Sequence, residues 1–499
     1  MRFLHILLLC GSSVLSAVAA DKPNVVLIFA DDMGWGDVGY HGFEDVITPN
    51  IDRIAAEGVQ FSQGYVAASV CGPSRAGLMT GVYQQRVGAG ENASATGFPD
   101  NMGERFRMSG LPTSQPTLAE ILRPHGYRCG MIGKWHLGVE KPLRPHHRGF
   151  HYFRGFLNGS HSYTEWEMKF DDKKDKWPLF RNDEMVPPQE NAYLTDLFSD
   201  YAVNFIKHKP DSPFFLYLAY NAVHHPWQVP EKYLERTKHL EGGEDRRFFA
   251  GMILAMDDGI GRVLDTLDEA GVADDTIVIF LSDNGSPRGQ GLKPAPKDEM
   301  MARGETVMSN PGPHRGFKGD TYEGGIKVPF TMRWPGKIEG GSHYDWPVSA
   351  LDIAPTVAAA VGVGQPNKGH PFDGVDLLPF LKGERDGDRP HDVLYWRRDN
   401  DYAVRQGDWK LSWNDASGPM KIMLFNLAED PGEYHDVAHE NPERAQAMQD
   451  QFDSWDSSMP DSRPWGGPGN RNREFGRGQR VDVKAYNQNP PARPPAKVH

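Results

Sequence analysis

Short, unbroken apolar runs alternate with amphipathic stretches along most of the chain. "NVVLIFADD", "YRCGMIGKWHLG", "PFFLYLAYNAVHHP" and "TIVIFLSDNG" each hold a run too continuous for a half-solvated strand, which predicts strands buried on both faces. The stretches between them carry helical spacing. "TPNIDRIAAEG" predicts a helix with Thr48 as its cap, Pro49 in the first turn and Gly58 as its stop. "PTLAEILRPHG" predicts a shorter helix, and "RRFFAGMILAMDDGIGRVLDTLDEAG" a long one. This alternation predicts an α/β sheet.

After about Leu381 the pattern changes. "DVLYWRRDNDYAVRQGDWKLSW" and "KIMLFNLAED" read as short antiparallel strands and "NPERAQAMQDQFDSWDSSM" as a helix, so residues 382–460 are expected to form a smaller α+β unit. Residues 461–499 are rich in Pro, Gly, Arg and Asn and read as a mobile or surface-wrapping tail.

The residues that end the four apolar runs are capable of chemistry: Asp31–Asp32, Lys134 and His136, His224–His225, and Asp283–Asn284. In open α/β sheets, ligands sit beyond the carboxyl ends of the strands. If the four strands lie side by side, these clusters converge in one cleft.

Composition narrows the picture. At 499 residues the chain exceeds one ordinary core, which favours two domains. A formal net charge of −13 gives no general attraction to nucleic acid, so an anionic substrate needs positive charge concentrated in a site. Arg2, "FLHILLLCGSSVL" and "AVAA" read as a signal peptide over residues 1–20, which predicts export to the periplasm or beyond the cell. No later run is long enough to span a bilayer. Cleavage near Ala20 leaves Cys71 and Cys129, and a disulfide between them remains open.

Each cluster has an ordinary alternative. An Asp-Asp pair often ends in a turn or helix cap, "DNG" is a common turn, and "NGS" matches a glycosylation acceptor. Together, Asp31, Asp32, Asp283 and Asn284 offer hard oxygens suited to Ca²⁺ or Mg²⁺. In "SVCGPSRAGLMTG", Pro73 fits the first turn of a helix and Cys71 sits just before it, where free N–H groups favour an anion and lower a thiol's pKa. Arg75 lies on nearly the same side one turn later; the alternative is a buried cysteine with a surface arginine. Lys134 and His136 point the same way on an extended segment, unless Lys134 is simply solvated. His224 or His225 offers a general acid or base, although nineteen histidines make most of them ordinary. Lys318, among the glycines of "RGFKGDTYEGG", permits close approach to a ligand or marks a surface loop.

Taken together these residues resemble the type I, formylglycine-dependent sulfatases of the alkaline-phosphatase-like superfamily. "CGPSR" followed by "AGLMTG" matches the family's Cys-x-Pro-Ser-Arg signature. "PNVVLIFADDMGWGDVGYHG", "TPNIDRIAAEG", "GKWHLG", "SDNG", "KGDTYEGGIKVPF", "LDIAPT" and "DGVDLLPFLKG" extend the likeness, and "GDWKL" and "LFNLAEDPGE" resemble its C-terminal domain. The resemblance implies a large mixed, mainly parallel sheet sandwiched by helices over residues 21–381, with the smaller C-terminal α+β domain behind it. It implies oxidation of Cys71 to formylglycine (3-oxoalanine) by a formylglycine-generating maturation enzyme. One calcium ion would be held by Asp31, Asp32, Asp283, Asn284 and the modified Cys71. Sulfate binding and proton transfer would fall to Arg75, Lys134, His136, His224 and Lys318. His224 is favoured over His225 because Ala222 to Pro226 fits the family's Ala-x-His-x-Pro pattern.

On the family's chemistry Asp283 takes a proton from one diol hydroxyl, and Lys134 and Lys318 neutralise the sulfuryl oxygens. His224, with Lys318, protonates the departing alcohol, and His136 takes the proton of the second hydroxyl. A disulfide would consume the residue the motif exists to modify, so Cys129 is expected as a buried strand residue. Ser160 loosely matches a serine near the site in some arylsulfatases, and Lys327 and Phe317 are mild departures from the family pattern. The expected function is an exported sulfatase acting on sulfated carbohydrate, with aromatic residues of "HYFRGFLNGSHSYTEWEMKF" packing on sugar faces. The alternatives are an arylsulfatase of small esters, a phosphatase or phosphodiesterase, and a non-catalytic glycan-binding relative.

Overall fold

The computed structural model describes residues 22–90, 110–164, 167–170, 173–176, 178–186, 192–208, 212–287, 308–398, 401–414 and 421–460. The expected signal peptide and tail lie outside these residues. A ten-stranded sheet forms the centre, in the order 342–344, 59–61, 330–333, 276–282, 24–30, 214–219, 128–134, 152–156, 179–181, 184–186. Its five strands from 276–282 to 152–156 are parallel, and antiparallel strands flank them on both sides. Among the described residues no helix is long and apolar enough to cross a membrane.

Period-two alternation splits each central strand between two cores. Val25, Leu27 and Phe29 join Tyr217 and Ile279 on one face, beneath Ala76, Leu78 and Met79 of the Cys71–Thr80 helix. Val26, Ile28 and Ala30 join Leu216 and Val278 on the other, beneath the helices Leu194–Lys207 and Gly243–Glu269. Apolar side chains on both faces explain why the runs read as continuous rather than alternating. The C-terminal part is a four-stranded antiparallel meander, Val393–Arg398, Asp401–Gln406, Trp409–Asn414 and Lys421–Asn426, followed by the helix Pro442–Ser457.

Two local expectations change. The third expected strand stops at Ala219, not at His224. Beyond it, Ala222 O still accepts from Asp31 N–H at 2.9 Å, but Tyr163 Oη donates to the carbonyls of Asn221 and His224 and turns the segment out of the ladder. The Pro49–Ala56 helix is not capped by the Thr48 side chain. Thr48 Oγ1 instead accepts from Gly39 N–H, and Asp257 of the long helix caps the helix by accepting from Asn50 N–H at 3.1 Å and Ile51 N–H at 2.9 Å.

Candidate active site

The strands 276–282, 24–30, 214–219 and 128–134 are neighbours and parallel, so their carboxyl ends share one edge. Asp283–Asn284, Asp31–Asp32, His224 and Lys134–His136 leave the sheet there. Asp32 takes a left-handed backbone (φ 66°), which breaks the strand alternation that would send its side chain and that of Asp31 to opposite faces. Asp32 N–H donates to Asp283 Oδ1 at 3.1 Å, and Asn284 Nδ2 donates to Asp32 Oδ1 at 2.8 Å.

The Cys71 helix enters from the side. Val70 is extended and no side chain caps the helix. Cys71 Sγ and one oxygen each of Asp31 and Asp283 lie within 4.8 Å of one another. One turn on, the fully buried Arg75 donates to Asp283 Oδ2 through Nε (3.1 Å) and Nη2 (2.8 Å), and to the Lys134 carbonyl through Nη1 (3.0 Å). Its charge is thus placed inside the site, not on the surface.

Lys134 Nζ meets Asp31 Oδ2 at 2.5 Å, and Lys318 Nζ meets Asp32 Oδ1 at 2.6 Å. His224 Nε2 stands 3.8 Å from Asp32 Oδ2, while its Nδ1 bonds the His225 carbonyl at 2.8 Å. A carbonyl only accepts, so Nδ1 carries a proton and Nε2 faces the cluster. His225 is exposed and stacks on His224, with ring centroids 4.4 Å apart. His136 is buried with a left-handed backbone (φ 55°), and its ring fills the space a side chain at Gly159 would need, 2.9 Å from that Cβ. Ser160 is the next residue. The expected site residues are therefore gathered at one edge of the sheet.

Burial works against every charge here, and the partners decide the outcome. Asp283 is pushed up to about 6 by burial, with Asp31 beside it, despite Arg75. Burial also raises Asp31, with Lys134 and Arg75 opposing. Asp32 goes the other way: burial is outweighed by Lys318, His224 and Lys134, and the carboxyl falls below its ordinary range. Burial and then the lysines lower both His136 and His224. Asp31 Oδ1 and Asn284 Oδ1 are buried without a hydrogen-bond partner. No disulfide joins Cys71 to Cys129, which lies in the 128–134 strand with its thiol pushed up to about 12 by burial.

The family model described as Sulfatase matches residues 23–363. The chain belongs to the sulfatase family. A second model, N-sulphoglucosamine sulphohydrolase, C-terminal, matches residues 312–455. This sulfatase is 33% identical to human (Homo sapiens) arylsulfatase A over 87% of its own length and 89% of that protein's. It is 31% identical to mouse (Mus musculus) N-acetylgalactosamine-6-sulfatase, over 89% and 87% respectively. Among solved structures, Ps i-CgsB in complex with k-i-k-neocarrahexaose is 31% identical with a TM-score of 0.75, covering 94% of this chain and 98% of that one. These relatives make it a sulfuric ester hydrolase.

Two buried groups were not singled out for their chemistry in the sequence. Tyr163, which holds the carbonyls around His224, lies in a stretch with no periodic signal. Asp37, inside the "DDMGWGDVGYHG" motif, is buried and accepts from Gly34 N–H, Asn310 N–H and Arg246 Nη1 at 3.0, 3.0 and 2.7 Å. An arginine on the buried face of the long helix was the one available hint of Arg246.

Proposed function

We propose that this sulfatase is exported and removes sulfate from carbohydrate, with Cys71 matured to formylglycine and one calcium ion beside it. The observation that carries this reading is the meeting of Cys71 Sγ with Asp31 and Asp283 within 4.8 Å, inside a "CGPSR" segment that starts a helix. The donor set fits a hard cation: three carboxylates and one amide oxygen, among which Asp31 Oδ1 and Asn284 Oδ1 are buried without hydrogen-bond partners. Asp31, Asp32, Asp283, Asn284 and residue 71 would hold the ion, which when bound would supply positive charge to the nucleophile and the sulfuryl oxygens. Formylglycine would supply a hydrated aldehyde, a nucleophile with a second hydroxyl for turnover.

The chain's own groups have separable tasks. Arg75 fixes Asp283, so that the carboxylate able to accept the nucleophile's proton stays aimed at residue 71. Lys134 and Lys318 place two ammonium groups beside that position, where they neutralise sulfuryl charge. His224, held through Nδ1, presents Nε2 to the site and delivers a proton from there to the departing alcohol in its imidazolium form, which burial opposes and Asp32 beside it favours. His136, kept neutral by burial, is suited to accept the proton of the second hydroxyl.

The carbohydrate reading is supported by the likeness to Ps i-CgsB in complex with k-i-k-neocarrahexaose and to N-acetylgalactosamine-6-sulfatases. The 33% identity to arylsulfatase A favours a second reading, hydrolysis of small aryl esters. Sulfate release from carrageenan oligosaccharides, N-acetylgalactosamine-6-sulfate and p-nitrophenyl sulfate separates the two. The expected result is a higher kcat/KM on a saccharide; preference for the aryl ester across the panel would select the second reading.

A further inference from the structure

The loop that carries Lys318 is held from two sides. On the cleft side, Lys318 N–H donates to Ser286 O at 2.7 Å and Gly319 N–H to Ser69 O at 2.8 Å, two residues before Cys71. On the other side the C-terminal part of the chain supplies several holds. Arg398 Nη1 donates to Gly319 O at 2.7 Å, Arg315 Nη1 to Glu433 O at 3.1 Å, and Glu323 N–H to Glu433 Oε2 at 2.6 Å. Lys410, fully buried on the third strand of the C-terminal sheet, bridges Glu323 Oε1 and Glu433 Oε1, each at 2.9 Å. Tyr65 Oη completes the set by donating to Glu323 Oε2 at 2.6 Å.

Two features mark Glu433 as more than packing. Its backbone is left-handed (φ 59°), a conformation glycine would take at less cost, so the position supplies a carboxylate and not a turn. Its two oxygens face different elements: Oε2 accepts from Glu323 N–H, and Oε1 forms an ion pair with Lys410 Nζ, whose hydrogen bond goes to Glu323 Oε1. An amide keeps the shape and one acceptor oxygen but no charge, so Gln at 433 can keep the Glu323 N–H bond while losing the ion pair to the buried Lys410.

We propose that Glu433 is a positioning residue for the sulfatase reaction, acting through Lys410 and Glu323 to set where the Lys318 ammonium stands relative to residue 71. This rests on the role proposed for Lys318 above. The C-terminal sheet is then part of the active-site scaffold, linked by one buried chain of charges.

The test is a double-mutant cycle on the matured full-length enzyme with p-nitrophenyl sulfate. Wild type, Glu433→Gln, Lys318→Ala and the double variant are compared in kcat, KM and Tm, with hydrogen exchange of the 315–326 peptide as a second readout. The expected result is a loss in kcat/KM of roughly tenfold for Glu433→Gln, in the same parameter that Lys318→Ala changes, with the double variant no worse than Lys318→Ala alone. Exchange in 315–326 should rise. Multiplying effects, or a lower Tm with kcat and KM intact, would overturn the proposal. An unchanged kcat/KM in Lys318→Ala would instead remove the role of Lys318 on which it rests. If Glu433→Gln does not fold, Arg398→Gln, which loses the Gly319 hold, enters the same cycle with the same expected and contrary results.

Discussion

Arg75 meets requirements that a lysine cannot. Its fork donates twice to Asp283 and once to the Lys134 carbonyl from a fully buried position, and burial's pull on its charge is outweighed by Asp283. Arg75→Lys keeps the charge but loses the fork, so kcat/KM is expected to fall on the order of a hundredfold with p-nitrophenyl sulfate. A loss of less than about twofold would show that the fork is not needed. The unpartnered oxygens of Asp31 and Asn284 carry a second prediction. A chelator that strips calcium should abolish sulfate release and lower Tm, and added Ca²⁺ should restore both, because a ligand bound only by the folded state stabilises it. An enzyme indifferent to chelation would contradict the proposed ion. At this scale the gathering of the ten proposed site residues was legible because each ends an apolar run or lies in a short motif; the holding of the His224 carbonyl by Tyr163 was not, because the two lie 61 positions apart in the chain.

At the scale of elements, the central strands were legible because burial on both faces leaves only apolar choices. Helix ends were less so. Thr48 has the right chemistry and position for a cap, yet Asp257, more than two hundred residues away, supplies it. Asp257→Ala should therefore cost about 1–2 kcal/mol of stability in denaturant unfolding, whereas Thr48→Ser, which keeps the hydroxyl, should cost little. A second element joins the two parts of the molecule: His391, just before the C-terminal sheet, contacts both oxygens of Asp352 at 2.8 and 2.9 Å. Burial lowers the imidazole's pKa, but Asp352 outweighs it, so the folded value lies above the unfolded one. The stability from this pair is fully present below about pH 6.5, the unfolded value, and is lost as pH rises through the raised folded value. The Tm difference between wild type and His391→Gln should thus be larger at pH 6 than at pH 9; equal differences would show that the pair does not titrate in the folded protein.

For the whole molecule, the decisive arrangement is four parallel strands side by side, whose ends bring Asp31, Asp32, Lys134, His224 and Asp283 to one edge. That convergence was foreseeable from the runs, because ligands collect at the carboxyl ends of such sheets. The Glu323–Lys410–Glu433 tie was not, since "YEGG", "DWKL" and "DPGE" carry the family likeness but nothing in their spacing brings the three side chains together until the sheet folds onto the Lys318 loop. Every chemical role assigned here depends on residue 71 being more than a thiol. The most direct measurement is mass spectrometry of the tryptic peptide Ile54–Arg75, from protein produced with a formylglycine-generating enzyme. The account predicts a peptide lighter by the thiol-to-aldehyde conversion at Cys71. An intact thiol beside a working maturation enzyme would contradict it.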